Sequence, residues 1–187
     1  MNYNKQKMGY LEIILGPMYS GKTSRLLDIY KQYKFCNGEI LVINYIEDTR
    51  YSDTMLSTHD KKMIPCIQVK DLSSIHEELY KNTDVILINE GQFFSDLYPF
   101  VKKLVDIEKK NVYVCGLDGD FKRQKFGTIL DLIPICDKVI KIKSLCGICK
   151  NGKKGIFTHR NSNEVEQKII GSENYIPLCR ECYLNKS

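Results

Sequence analysis

Apolar positions along the chain fall into short, near-continuous runs, separated by stretches that carry them at helical spacing. Leu11, Ile13, Ile14 and Leu15 form the first run; Glu39 to Tyr45 (EILVINY), Asp84 to Asn89 (DVILIN), Asn111 to Cys115 (NVYVC) and Lys138 to Ile142 form four more. Runs of this length without strict alternation predict strands of a parallel sheet covered on both faces. Between them, Leu26, Leu27, Tyr30 and Tyr33 recur at helical spacing over Ser24 to Phe35. Leu97, Phe100, Val101, Leu104, Val105 and Ile107 do the same over Ser95 to Lys110, with Pro99 in the first turn or so, where proline is tolerated. Leu72, Ile75 and Leu79 mark a shorter helix that carries a surface His76, Met63 to Val69 a short strand, and Thr128 to Ile133 a short helical piece. Ile46 to Lys61 reads as a loop, and residues 1–9 as a disordered tail with nothing to bury. Five strands alternating with helices predict a three-layer α/β core with a mainly parallel sheet, over residues 10–143.

The first strand runs into Gly16-Pro17-Met18-Tyr19-Ser20-Gly21-Lys22-Thr23 and then into a helix. The spacing G-x-x-x-x-G-K-T is that of a phosphate-binding P-loop. Gly16 and Gly21 let the backbone curl so that several N–H groups converge on one anion, Lys22 reaches the β/γ-phosphates, and the Thr23 hydroxyl takes a magnesium position. The helix behind adds the positive end of its dipole. A surface turn would match part of this pattern by chance, but strand, loop and helix occur in the required order.

Character changes at Ser144, where the chain becomes rich in Cys, Gly, Lys and Asn and too polar for a second ordinary core. Residues 144–187 therefore form a separate small domain held by something other than burial. Four of the eight cysteines lie in two knuckles, Cys146-x-x-Cys149 and Cys179-x-x-Cys182. Four thiolates close a tetrahedral shell and leave no open position, which is the signature of structural zinc. Two disulfides or free thiols are the alternatives, and a reducing compartment favours the metal. Lys150 to Leu178 is then a long loop tied at both ends, suited to lie over a ligand. The isolated Cys36, Cys66, Cys115 and Cys136 read as small buried side chains.

Charge adds little. A net charge of +5 spread over 187 residues gives no basic block, so nucleic-acid binding is not implied. No apolar run approaches the ~20 residues of a membrane span, and the polar N-terminus lacks a signal-peptide core, so the expected location is the cytoplasm with no membrane partner.

Phosphate chemistry beside a P-loop also needs an acidic group at the end of a neighbouring strand. Glu90 follows DVILIN and is placed to accept the proton of an attacking hydroxyl. A carboxylate that merely holds a loop is the plainer alternative.

GPMYSGKT, then NEGQFF after an apolar strand, then LDGDFKRQKFG after the next, then paired knuckles around a long loop: in order and spacing, over about Gly9 to Tyr183, this resembles the type II (cytosolic, zinc-containing) thymidine kinases. The resemblance implies a RecA-like P-loop domain with a zinc-bound lasso closing over thymidine, and transfer of the γ-phosphoryl of ATP to its 5′-hydroxyl, with deoxyuridine also accepted. It implies that Gly16 to Thr23, with Asn89, Glu90, Gly91 and Gln92, bind the donor phosphates, and that Glu90 is the base. Met18, Phe93, Leu117 and Phe121 match positions around the thymine, Thr158, Ile169 and Tyr175 match lasso positions that hold it, and Asp48 and Arg50 match the DTR element beside the catalytic centre. It further implies a homotetramer inhibited by dTTP.

Two residues depart from the family pattern. Asn89 stands where an aspartate is usual, keeping an oxygen acceptor for a metal-bound water or the Thr23 hydroxyl but removing a full charge, so a weaker grip on magnesium is expected. Tyr19 replaces a common Phe with little consequence. Two other functional classes stay open on the sequence: a nucleotide-binding sensor or regulatory subunit that has lost turnover through Asn89, and a DNA-dependent ATPase.

Overall fold

A computed structural model describes residues 8–47, 54–57, 62–162, 166–167 and 174–186. Six parallel strands form the central sheet: β1 (Tyr10–Leu15), β2 (Ile40–Tyr45), β5 (Ile67–Val69), β6 (Val85–Ile88), β7 (Asn111–Gly116) and β8 (Lys138–Lys141), in the order β5-β2-β6-β7-β1-β8. The five expected strands are all present. The sixth comes from the Met63 to Val69 run, which divides at Cys66: β5 joins the sheet edge, while β4 (Met63–Pro65) forms a hairpin with β3 (Met55–Ser57) inside the expected loop.

Period-2 alternation sorts the sheet side chains into two layers. Leu11, Ile13, Leu15, Leu41, Ile43, Ile86, Ile88, Val112 and Val114 face one side, with Leu97, Val101 and Leu104 packed on them. Ile14, Val42, Val85, Leu87, Tyr113 and Cys115 face the other, against Leu26, Leu27 and Ile29 of α1 (Lys22–Phe35). The same parity puts Asn44, at the end of β2, and Asn89, just past β6, on the α1 side.

Several helices are shorter than their apolar stripes. In the Leu72 to Leu79 stretch a 3₁₀ turn over Leu72–Ser74 precedes α2 (Glu77–Lys81), because Asp96 accepts from the N–H groups of Leu72 at 3.2 Å and Ser73 at 2.7 Å. His76 is exposed, as expected. α3 (Leu97–Lys102) holds Pro99 in its first turn and widens into a π-helical turn over Lys103–Ile107. The Thr128 to Ile133 piece is a 3₁₀ helix, Ile129–Ile135. Of the four isolated cysteines only Cys115 is buried: Cys36 closes α1 on the surface, and Cys66 and Cys136 are half-exposed.

The C-terminal region is built from two small ribbons. β9 (Ser144–Leu145) pairs with β10 (Lys154–Gly155), and β11 (Phe157–Arg160) with β12 (Tyr175–Leu178), followed by α4 (Arg180–Leu184). Among its described residues, the stretch read as one long loop thus contains three short strands. They escape notice because none has room for the apolar alternation that marks a strand.

Candidate active site

Open α/β sheets bind ligands beyond the carboxyl ends of their strands. Here the ends of the adjacent strands β2, β6, β7 and β1 deliver Asn44, Asn89-Glu90, Leu117 and the Gly16 loop to one edge. A Cβ on Gly16 would lie 2.5 Å from the Ile142 carbonyl oxygen and 2.7 Å from Ser20 Oγ, so only glycine lets the loop close this tightly. Gly21 has open space around it but sits at φ 87°, in the left-handed region that other residues enter at a cost. Each glycine is therefore needed for a different reason. From Gly21 the chain enters α1 directly, and the Lys22 ammonium donates to the Pro17 carbonyl at 2.8 Å. Ser20 Oγ is buried with no hydrogen-bond partner among the described residues. An orphan hydroxyl beside the first N–H groups of a helix fits an oxyanion such as a phosphate.

Asn89, 1% exposed, is the centre of a small buried network. Its Nδ2 donates to Asn44 Oδ1 at 2.8 Å, and its Oδ1 accepts from Cys115 Sγ at 3.0 Å and from Thr23 Oγ1 at 3.5 Å. Thr23 is the residue that the P-loop pattern gives to magnesium, and its oxygen, like that of Asn89, is the hard donor that ion takes. Glu90 follows in a left-handed conformation, φ 54°, ψ 41°, which is uncommon for a residue other than glycine and is concentrated at functional sites. Its Oε2 accepts from Gln92 Nε2 at 2.6 Å, while Gln92 Oε1 accepts from the Leu117 N–H at 3.0 Å. Gln92, buried, thus ties the Glu90 carboxylate to the start of the loop after β7. Gly91 is buried beneath them against Val114.

The residues expected around a base fall on both sides of this edge. Phe93 packs edge-on against Phe126 with centroids 5.4 Å apart and lies 5.2 Å from the Tyr45 ring. Thr158, 3% exposed on β11, accepts from the Met18 N–H through Oγ1 at 3.0 Å, and Ser144 Oγ donates to the Tyr19 carbonyl at 3.0 Å. The P-loop is therefore bonded twice to the C-terminal region. Phe121 is held by its carbonyl, which accepts from Tyr183 OH at 2.6 Å, and by Arg160, whose guanidinium lies 3.8 Å from its ring centroid. Arg160, 4% exposed, also donates to Tyr175 OH at 2.7 Å and to the carbonyls of Glu166 at 2.5 Å and Gln167 at 3.1 Å. Gln167 Nε2 donates to Asp120 Oδ2 at 2.8 Å. Asp48, Arg50 and Ile169 lie outside the described residues.

Sequence reading missed Asn44, Arg160, Asp120 and Gln167. Asn44 carries a signal: a polar residue at the inward parity of an otherwise apolar strand. The other three carry none, because their partners are far away along the chain.

In the C-terminal region the sulfurs of Cys146, Cys149, Cys179 and Cys182 lie within 4.8 Å of one another. Zinc–sulfur bonds of about 2.3 Å at tetrahedral angles separate sulfurs by about 3.8 Å, so the four ligands fit the ion. None of them is in a disulfide. Burial opposes ionisation of Cys146, but backbone N–H groups at Cys179, Cys149 and Ile148 outweigh it and hold the thiol down at about 6. The donor set, four thiols with no open position, fits a structural zinc ion.

Fold, loop and strand-end carboxylate define a P-loop nucleotide-binding protein. The profile described as "Thymidine kinase" matches residues 9–183. Among relatives, the chain is 39% identical to "Thymidine kinase" of Oryza sativa subsp. japonica over 95% of this chain and 67% of that one. It is 40% identical to "Thymidine kinase a" of Arabidopsis thaliana, covering 94% and 75%, and 42% identical to "Thymidine kinase" of Yaba monkey tumor virus, covering 95% and 96%. The chain belongs to the thymidine kinase family.

Proposed function

We infer that this protein is a thymidine kinase, transferring the γ-phosphoryl of ATP to the 5′-hydroxyl of thymidine, and of deoxyuridine as well, to give the 5′-monophosphate. The observation that carries the reading is the junction of three parts at one sheet edge: the P-loop, the Glu90 carboxylate held by Gln92, and the ribbon of the four-cysteine region bonded to the P-loop through Thr158 and Met18. The test is phosphate transfer from ATP to a panel of four deoxynucleosides. Transfer to thymidine above the others is expected; binding of ATP without transfer to any of them would favour the sensor reading.

In this mechanism the backbone of Gly16 to Gly21 and the Lys22 ammonium bind the donor phosphates, and the Thr23 hydroxyl would hold the accompanying magnesium. When bound, that ion would supply positive charge to offset what develops on the transferring phosphoryl group. Glu90 takes the proton of the 5′-hydroxyl as it attacks, and Gln92 fixes the carboxylate for that task. Met18, Phe93, Leu117 and Phe121 surround the thymine, Thr158, Ile169 and Tyr175 hold it from the lasso, and Asp48 and Arg50 lie beside the reacting groups. Asn89 accepts from the Thr23 hydroxyl and orients it.

Arg160 joins this set as the clamp on Phe121 and Tyr175. Arg160→Lys keeps the charge but loses the planar stack and the fork of donors. It is expected to raise the KM for thymidine roughly 10-fold, a loss of the size of one charge-assisted hydrogen bond, with the KM for ATP nearly unchanged. Steady-state kinetics in each substrate checks it.

Asn89→Asp is expected to lower the magnesium concentration for half-maximal activity, because a carboxylate strengthens its hydrogen bonds roughly twofold over a neutral acceptor. An identical magnesium curve for parent and variant would put Asn89 outside the metal's surroundings.

The location is the cytoplasm, which the relatives named "Thymidine kinase, cytosolic" in Gallus gallus and Cricetulus griseus support. Among the described residues, no helix is long and apolar enough to cross a membrane. A kinase of this family is expected to act as a homotetramer, to be inhibited by dTTP, and to divide into a kinase unit over 10–143 and a lasso unit over 144–187. Light scattering and inhibition kinetics test the first two.

A further inference from the structure

We propose that Asn44 is a positioning residue for phosphoryl transfer: it decides which end of the Asn89 amide faces Thr23, and so makes an amide serviceable at position 89. The proposal rests on the reading that Thr23 helps hold magnesium.

A side-chain amide has two ends of opposite character, and rotation about its last bond exchanges them. What selects one arrangement is the partners. β2 and β6 run side by side with Ile43 opposite Ile88, and the Asn89 N–H still bonds to the Ile43 carbonyl at 2.9 Å. One residue further on, both chains turn an asparagine to the α1 face, where they are 2% and 1% exposed. Asn44 Oδ1 accepts from Asn89 Nδ2 at 2.8 Å, and this bond leaves Asn89 Oδ1 for the Cys115 thiol and the Thr23 hydroxyl.

The polarity of the Thr23 hydroxyl follows. While its proton goes to Asn89 Oδ1, its lone pairs remain for a cation. Were the Asn89 amide reversed, Nδ2 would donate to the Thr23 oxygen, occupy a lone pair, and turn the hydroxyl proton outward, where it repels a metal. With Asn44 turned so that Oδ1 faces β6, the pair matches an amide at 89, whereas a side chain at 44 that can only donate matches a carboxylate at 89. No formal charge is buried in the Asn44–Asn89 arrangement, which avoids the desolvation penalty of an ion pair at this depth.

The experiment measures the magnesium concentration for half-maximal ATP binding by calorimetry, without thymidine, so that no turnover enters. Asn44→Lys forces Asn89 to turn its oxygen toward the ammonium, and is expected to raise this concentration roughly 10–100-fold, the usual effect of losing a partner behind a metal ligand. Asn44→Leu, which introduces no charge and keeps folding within reach, is expected to shift it in the same direction. In the Asn89→Asp background the Lys substitution is expected to cause no rise, since a carboxylate accepts from both the ammonium and Thr23. Zinc content and thymidine affinity serve as the measures of intact structure, and both are expected to hold. An equal rise in the two backgrounds, or an unchanged midpoint in folded Asn44→Lys and Asn44→Leu, overturns the proposal. Thr23→Val separates the two readings: if it leaves the midpoint unchanged, the magnesium role of Thr23 falls and the proposal with it; if it raises the midpoint while the Asn44 variants do not, Asn44 alone is excluded.

Discussion

Glu90→Gln is expected to lower turnover about 10²–10⁴-fold, the usual contribution of a general base, while ATP and thymidine still bind. The structure makes this substitution a clean one. Gln92 presents Nε2 to Glu90 because its own Oε1 is committed to the Leu117 N–H, and the carbonyl oxygen of a glutamine at 90 accepts the same bond that the carboxylate does. Shape, the hydrogen bond from Gln92 and the left-handed turn at 90 are therefore retained, while the negative charge, and with it the capacity to take a proton, is removed. Glu90→Ala would be less informative, since it also leaves the buried Gln92 donor without its partner. The expected kinetic signature is a fall in kcat with little change in either KM, because the interaction lost is one made as the hydroxyl gives up its proton. Equilibrium binding of both substrates to the variant is the companion measurement. A variant with near-full activity would remove Glu90 from this role and return it to the plainer one of holding the loop after β6.

What could be read in the sequence, and what could not, follows from how far each signal reaches along the chain. The P-loop was legible because its geometry is local: Gly16 and Gly21, six residues of loop, and the first turn of α1 constrain one another within one short stretch. The buried strands were legible because a strand covered on both faces has to be apolar throughout. Ile67–Val69 is too short and too exposed to carry that mark, and only its pairing with β2 makes it part of the sheet. The two ribbons of the C-terminal region failed for the same reason. Its zinc ligands did not, since C-x-x-C spacing is itself a local geometry. Arg160 was invisible because what matters about it is the company of Phe121 and Tyr175, one far upstream and the other across a hairpin. Asn89 was recognised as a departure, but its consequence depends on Asn44, and no short-range rule relates those two positions; they meet only because β2 and β6 are neighbours.

Removing zinc is expected to release the C-terminal region before the α/β core unfolds. Among the described residues, the apolar contacts of that region amount to a small cluster, Cys146, Leu178, Cys179 and Tyr183 with Phe157 and Ile176 against it, and two of the four ligands, Cys149 and Cys182, are only partly buried. A cluster of that size cannot offset the conformational entropy of ordering two ribbons and a short helix. Structural zinc contributes on the order of 10–16 kcal/mol in small zinc domains, more than enough to make the difference. The core has no such dependence: it contains two apolar layers, one on each face of the sheet. A strong chelator, or Cys182→Ser, should therefore free Thr158 from Met18 and Arg160 from Phe121, and thymidine binding should collapse while cooperative melting of the core persists. ATP affinity should fall less, because the P-loop keeps its own strand, helix and the Lys22–Pro17 bond. Hydrogen exchange following residues 144–162 and 174–186 against the strands of the sheet would display the order of events. One zinc per chain by metal analysis is the prior requirement. Carefully purified protein without zinc, the four thiols found as disulfides, or loss of core and C-terminal region in a single step would each overturn this account.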